Sequence, residues 1–289
     1  MRFFIADSLR CFFPRARALC RVAVVVALAP AAASATLIQA TYGNAHVQTA
    51  DSTGLCAGTT VCVLGTENFD SVTTAQLTST AGYTTGFGLT GAQTISGTMV
   101  ADATAKATGN LISQPANAYG GAGGIGNYPE LFTGSETLSL SSNGVPGVNY
   151  FGLWISALDK NNSLQFYSGS TLLFSFTPST MLTAINARSN ASAYYGNPNN
   201  LTQDTTEPFA FVNFFGIGGT FDKLLISNCC GTGFESDNYT VGYRNPATVV
   251  GNIFGVAEPG GLSLLASGLA MFAFVRRRAT SYQRRLFRW

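Results

Sequence analysis

Ser163-Leu164-Gln165-Phe166-Tyr167-Ser168-Gly169-Ser170-Thr171-Leu172-Leu173-Phe174-Ser175-Phe176 is the stretch that decides the fold. Its first five residues alternate polar with apolar, the period of a strand with one buried face. Ser168-Gly169-Ser170 supplies turn residues, and residues 171–176 return with the aromatic and aliphatic side chains that strands favour. The stretch therefore predicts an antiparallel hairpin. Working outward, residues 150–155 form a continuous apolar run with aromatics, which suits a central strand, and Leu138-Ser139-Leu140 alternates. Residues 208–215, 221–227 and 239–243 continue the series, whereas residues 180–206, rich in Asn and Ser, predict a long loop with a short helix near Met181. No internal repeat and no second domain is evident. Many short strands joined by Gly-rich turns predict an all-β fold, an antiparallel β-sandwich of jelly-roll, lectin-like type over residues 36–255.

The composition agrees. Of 289 residues only 10% are charged, against roughly 25% in ordinary soluble domains. The formal charge of +2 is an end effect, because eleven of the sixteen basic residues lie before position 36 or after position 275. Between the ends, Lys106, Lys160, Arg188, Lys223 and Arg244 face twelve acidic residues, a net of −7. An acidic body with scattered cations offers no footprint for nucleic acid.

Both ends read as sorting segments. Arg10, Arg15, Arg17 and Arg21 precede an apolar run over residues 22–33, and Ala33-Ser34-Ala35 supplies a small-x-small cleavage pattern. That order predicts a secretory signal peptide over residues 1–35, with the Sec translocon and signal peptidase as partners; the alternative is a buried helix. At the other end, Ala257-Glu258-Pro259-Gly260 leads into an apolar run over residues 262–275 and then Arg276-Arg277-Arg278. As a helix, that run would span only about 21 Å, short of a hydrocarbon core of about 30 Å. Such a short transmembrane helix, with arginines held on the cytoplasmic side, suits a transient hold in the inner membrane.

Glu258-Pro259-Gly260, the short helix and the arginine cluster resemble the PEP-CTERM sorting signal of Gram-negative bacteria, over residues 256–278; Ala257 stands where the first proline of that motif falls, and residues 279–289 form a basic tail. The resemblance implies processing by an exosortase, a membrane transpeptidase, and delivery to the cell surface or an extracellular matrix rich in exopolysaccharide. Within the body, Tyr150-Phe151-Gly152-Leu153-Trp154, Ser156-Ala157-Leu158-Asp159, Val212-Asn213-Phe214, Phe221-Asp222-Lys223-Leu224 and Gly233-Phe234-Glu235-Ser236-Asp237-Asn238 follow in an order similar to a family of exosortase-dependent surface proteins of cyanobacteria and proteobacteria. That family implies location and fold and carries no chemistry across.

The candidate sites are few. Cys11 and Cys20 fall in the signal, leaving four cysteines in a body expected to meet an oxidising compartment. Cys56 and Cys62 bracket a short loop containing Gly58 and favour a disulfide, while Cys229-Cys230 offers a second, vicinal pairing. Zinc has little support, since His46 is the lone histidine. Glu235 and Asp237, two apart on a strand, share a face. With Asn238 and Asp159 they would supply hard oxygen ligands to calcium, or Glu235 and Asp237 would instead orient a turn before the last strand. Paired carboxylates also suit glycoside hydrolysis, yet nothing marks a proton donor, so no catalytic residue is expected. Trp154, Tyr150 and Phe151 would make a sugar-stacking platform or belong to the core. Gly121-Ala122-Gly123-Gly124-Ile125-Gly126 has the glycine spacing of a dinucleotide loop, but no hydrophobic strand precedes it and Asn127-Tyr128-Pro129 follows, so it reads as a loop. The leading expectation is thus a non-catalytic surface or matrix protein without a cofactor other than calcium. A carbohydrate-binding module and a secreted hydrolase stand as alternatives.

Overall fold

The computed structural model describes residues 36–254. The signal peptide, the sorting motif Ala257-Glu258-Pro259-Gly260, the arginines at 276–278 and the terminal helix lie outside the described residues. Within them, no helix is long and apolar enough to cross a membrane.

In chain order the elements are β1 (Leu37–Tyr42), α1 (Ser52–Cys56), β2 (Val61–Glu67), α2 (Thr74–Leu77), β3 (Tyr83–Thr85), β4 (Thr94–Ala101), β5 (Leu111–Pro115), β6 (Asn127–Leu131) and β7 (Gly134–Asn143). They continue with β8 (Tyr150–Ser156), β9 (Asn162–Ser168), β10 (Thr171–Phe176), α3 (Pro178–Asn186), β11 (Ala210–Ile217), β12 (Lys223–Asn228), β13 (Glu235–Asn245) and β14 (Asn252–Ile253). The fold is all-β, with two antiparallel sheets. The larger runs β14-β1-β11-β8-β13-β6-β5, with β2 also paired to β13; the smaller runs β10-β9-β12-β7-β4-β3.

The hairpin read from the sequence is present as β9 and β10, with a register shift between Leu172 and Phe174. The core lies between the sheets. Leu138 and Leu140 of β7, Leu164 and Phe166 of β9, and Leu224 and Ile226 of β12 face Phe151 and Leu153 of β8 and Val212 and Phe214 of β11. Phe214 is the aromatic hub, with ring centroids 4.6 Å from Phe166, 5.3 Å from Phe176 and 6.2 Å from Phe174. These contacts join the two sheets through one side chain.

Strands β8 and β11 read as unbroken apolar runs because both their faces are covered. Phe151, Leu153 and Ile155 enter the core between the sheets, while Trp154 packs with Phe209 and Phe211 on the opposite face, beneath Val47, Ala50 and Ala122. Tyr150, Phe151 and Trp154 are therefore fully buried. They belong to the core and not to a sugar-stacking platform: Phe151 lies between the sheets, and the segments 43–56 and 116–126 close over Tyr150 and Trp154 on the outer face.

The long loop expected over residues 180–206 carries α3 and a short 3-10 turn at Ala191–Tyr194. The Gly-rich segment is a loop around a 3-10 turn at Ala122–Gly124, with Gly121 at φ 90° and Gly123 at φ 72°, backbone that side chains disfavour. Residues 127–129 enter strand β6. Cys56, closing α1, and Cys62, in β2, are disulfide-bonded with Cα atoms 5.5 Å apart, and Cys229 and Cys230 also bring their sulfurs together.

Candidate functional site

Strand β13 begins at the motif Glu235-Ser236-Asp237-Asn238. Glu235 lies opposite Ser156, Ser236 opposite Ile155 and Asp237 opposite Trp154. Glu235 and Asp237 thus share the outer face, as period two requires, and Ser236 turns inward, where its hydroxyl meets the Tyr239 hydroxyl at 2.8 Å. A bulge follows between Asp237 and Thr240, with Asn238 at φ 51°. Asn tolerates this left-handed conformation. The extra residue resets the alternation, so that Tyr239 and Val241 enter the core.

Asp237 and Asn238 are structural tethers. Asp237 Oδ2 accepts from the Ala122 backbone N–H at 2.8 Å, and its Oδ1 accepts from the Asn238 N–H at 2.6 Å. Asn238 donates to the Gln48 carbonyl at 2.9 Å, and Gln48 in turn accepts from the Gly123 N–H at 2.9 Å. This network holds the glycine loop over the outer face. Burial lifts the Asp237 carboxyl to about 7 despite those two backbone donors.

Glu235 is placed differently. It lines a cavity of about 250 Å3 together with Glu130, Asp159, Glu207, Tyr119 and Phe132, with Ala157 and Gly233 closing the wall. Five segments converge to build it, four of them bringing an acid. Glu130 comes from β6, where it pairs with Glu235 across the sheet. Asp159 follows β8, and its N–H donates to Asn162 Oδ1 at 2.9 Å while Asn162 donates to the Gly233 carbonyl at 3.1 Å. Glu207 ends the long loop, anchored by its N–H to the Asp204 carbonyl at 3.1 Å and by its carbonyl to the Gly196 N–H at 3.1 Å. Gly233 allows the closest approach, since a Cβ there would run into the Glu235 carboxyl and come within 2.9 Å of Glu130 Oε1.

The electrostatics follow from crowding carboxyls away from water. Glu235 is 5% exposed and Glu130 6% exposed, and Glu235 Oε2 meets no N–H or O–H donor. Burial is the main cause that raises both; the proximity of Glu130, and then of Asp159, raises Glu235 further, so Glu235 is the more readily protonated of the two. Glu207 is also raised, by burial and then by Asp159 and Asp204. The lining therefore presents acceptors in excess and no basic side chain.

The four residues expected to bind calcium divide between two places. Asp159 and Glu235 share the cavity, but the glycine loop captures Asp237, and the bulge directs Asn238 to Gln48. Among the described residues, no group of three or more His, Cys, Asp or Glu side chains is disposed to hold a metal ion. Glu130, Glu207 and Tyr119 escaped the sequence reading, since each lies in a different segment with no motif around it. The signals that pointed here were the Gly233-Phe234-Glu235 motif and Asp159.

The fold and cavity define a class, a two-sheet antiparallel β protein with an acid-lined pocket at the start of its longest strand. No protein-family model, no curated protein and no solved structure matches the chain.

Proposed function

We propose that this is a non-catalytic, exported protein of the cell surface or extracellular matrix, with a body of lectin-like jelly-roll type. On this reading, Sec and signal peptidase remove residues 1–35, and an exosortase processes the chain near Glu258-Pro259. The observation that carries it is the Cys56–Cys62 disulfide clipping α1 to β2, a bond that persists in oxidising compartments and is rare in the cytosol. The sequence order at both ends supports the same route. The test is the intact mass and location of the protein in its own host, beside a Glu258→Ala/Pro259→Ala variant. The expected wild type has lost both ends and left the inner membrane, whereas the variant keeps its tail and stays there. Retention of Trp289 by both would make the tail a plain anchor and end the surface assignment.

A further inference from the structure

We propose that the cavity between Glu130, Asp159, Glu207 and Glu235 binds the protonated amine of an amino sugar, with Tyr119 at its rim. Glu235 supplies the first argument. It is nine-tenths buried, it lines the cavity, and its Oε2 has no donor. A buried carboxyl in that condition needs a proton or a positive group beside it. The neighbouring Glu130 can accept but cannot neutralise, and no lysine or arginine lines the wall.

The spread of the acids selects the cation. Calcium draws oxygens to about 2.3–2.6 Å, and the described acids form no such group. An ammonium group accepts longer contacts of about 2.7–2.9 Å, and its N–H bonds point outward to several carboxylates at once. A cavity of about 250 Å3 exceeds the need of a bare ion and approaches the lower end of small-ligand pockets, about 300 Å3. The lining is rich in acceptors from four segments, so the complement is a body carrying hydroxyl donors as well as the charge. A hexosamine has both, whereas a lysine side chain brings one donor group on an apolar stem. Tyr119 is 51% exposed at the rim, open to stack on a sugar ring or to face a cation.

Binding should expel the proton held by the Glu130–Glu235 pair. The charged and titratable groups facing that pair are Asp159, Glu207 and Tyr119 around the cavity and Tyr128 and Asp237 on the outer face of the sheet, all acids but for the two tyrosines. A cation thus replaces a proton in a wholly acidic setting. This inference goes beyond display at the surface and stands on the cavity alone.

The experiment is calorimetric titration of the purified full-length chain at about pH 6.5 with glucosamine, N-acetylglucosamine, lysine amide blocked at its α-nitrogen, and calcium chloride. Glucosamine should bind with net proton release, seen by comparing buffers of different ionisation enthalpy, and N-acetylglucosamine at least about tenfold more weakly. Glu207→Gln, on a half-buried loop position, should weaken glucosamine about tenfold at unchanged melting temperature. Glu235→Gln should weaken it and abolish the proton release. Equal binding of the two sugars, no binding up to about 10 mM, tighter binding of the lysine amide, or displacement of glucosamine by calcium would each overturn the proposal. Failure of processing at Glu258-Pro259 would leave it standing, so the two readings fail separately.

Discussion

Single residues in this protein are most informative where a charged group is buried. Glu136 of β7 points inward with Leu138 and Leu140, is 2% exposed, and its Oε1 has no hydrogen-bond partner. Burial alone pushes its carboxyl from an ordinary 4.5 to about 8. Between those values the unfolded chain releases the proton and the folded chain keeps it, so stability falls as pH rises through the window. The slope from one such group approaches about 1.4 kcal/mol per pH unit. Glu136→Gln keeps the shape and removes the titration. Urea unfolding at about pH 5 and pH 8 should show a smaller loss of stability for the variant than for the wild type; equal losses would mean that Glu136 reaches water. Arg244 contrasts with it. Only 1% exposed, it satisfies its guanidinium with the Leu55 carbonyl at 2.5 Å and the Thr248 carbonyl at 2.6 Å, and lies over the Phe215 ring. It closes the segment carrying α1 onto β13 without any carboxylate.

At the scale of elements, the stability of the outer face depends on segments with little secondary structure of their own. Helix α1 has only five residues, capped by Asp51 accepting from the Gly54 N–H at 3.0 Å. A helix so short has no independent stability. The Cys56–Cys62 bond ties it to β2, which pairs along seven positions of β13 from Tyr239 to Asn245. Closing so small a loop is worth about 2 kcal/mol by the chain-entropy argument. Replacing both cysteines by serine should lower stability by about that amount and hasten amide hydrogen exchange in residues 51–67 ahead of the core strands. A uniform change across both sheets would contradict the local role. The hairpin β9–β10 was legible in the sequence, apart from its register shift at Leu172–Phe174, because its signal is local, an alternating strand, a Gly turn and a return. Strand β6 was not, because Pro129 cannot donate to the ladder and Asn127-Tyr128-Pro129 looks like a turn. The neighbouring β5 supplies the pairing that overrides this.

For the whole molecule, the raised carboxyls of Glu130, Glu136, Glu235 and Asp237 act in one direction. Each has a folded value above its unfolded one, so each withdraws stability as pH climbs from mildly acidic toward alkaline. Asp102 acts oppositely: burial raises it, but hydrogen bonds from Ala105 and Ser135 win and hold it below its ordinary value, so its contribution is lost on acidification. The melting temperature should therefore peak at mildly acidic pH and decline toward pH 8, and scanning calorimetry across that range checks it. A peak on the alkaline side would mean that water or a cation reaches the buried acids.

What the sequence determined by itself was local: the strand period, the turn residues, the apolar runs of central strands, the short loop between Cys56 and Cys62, and the order of features at each end. These follow from chemistry within a few residues along the chain. Only the tertiary structure decided which faces were covered and which acids met. Trp154, inside an apolar run, read as core more readily than as platform, but what covers it, the segments 43–56 and 116–126, was not in the sequence. Asp237 stood two residues from Glu235, yet the loop 121–126 claimed one and the cavity the other. Glu130, Asp159 and Glu207 lie far apart in sequence and converge on Glu235 because sheet pairing and loop packing bring distant segments together. No local pattern encodes that convergence, since its cause is the burial of both faces of β8 and β13.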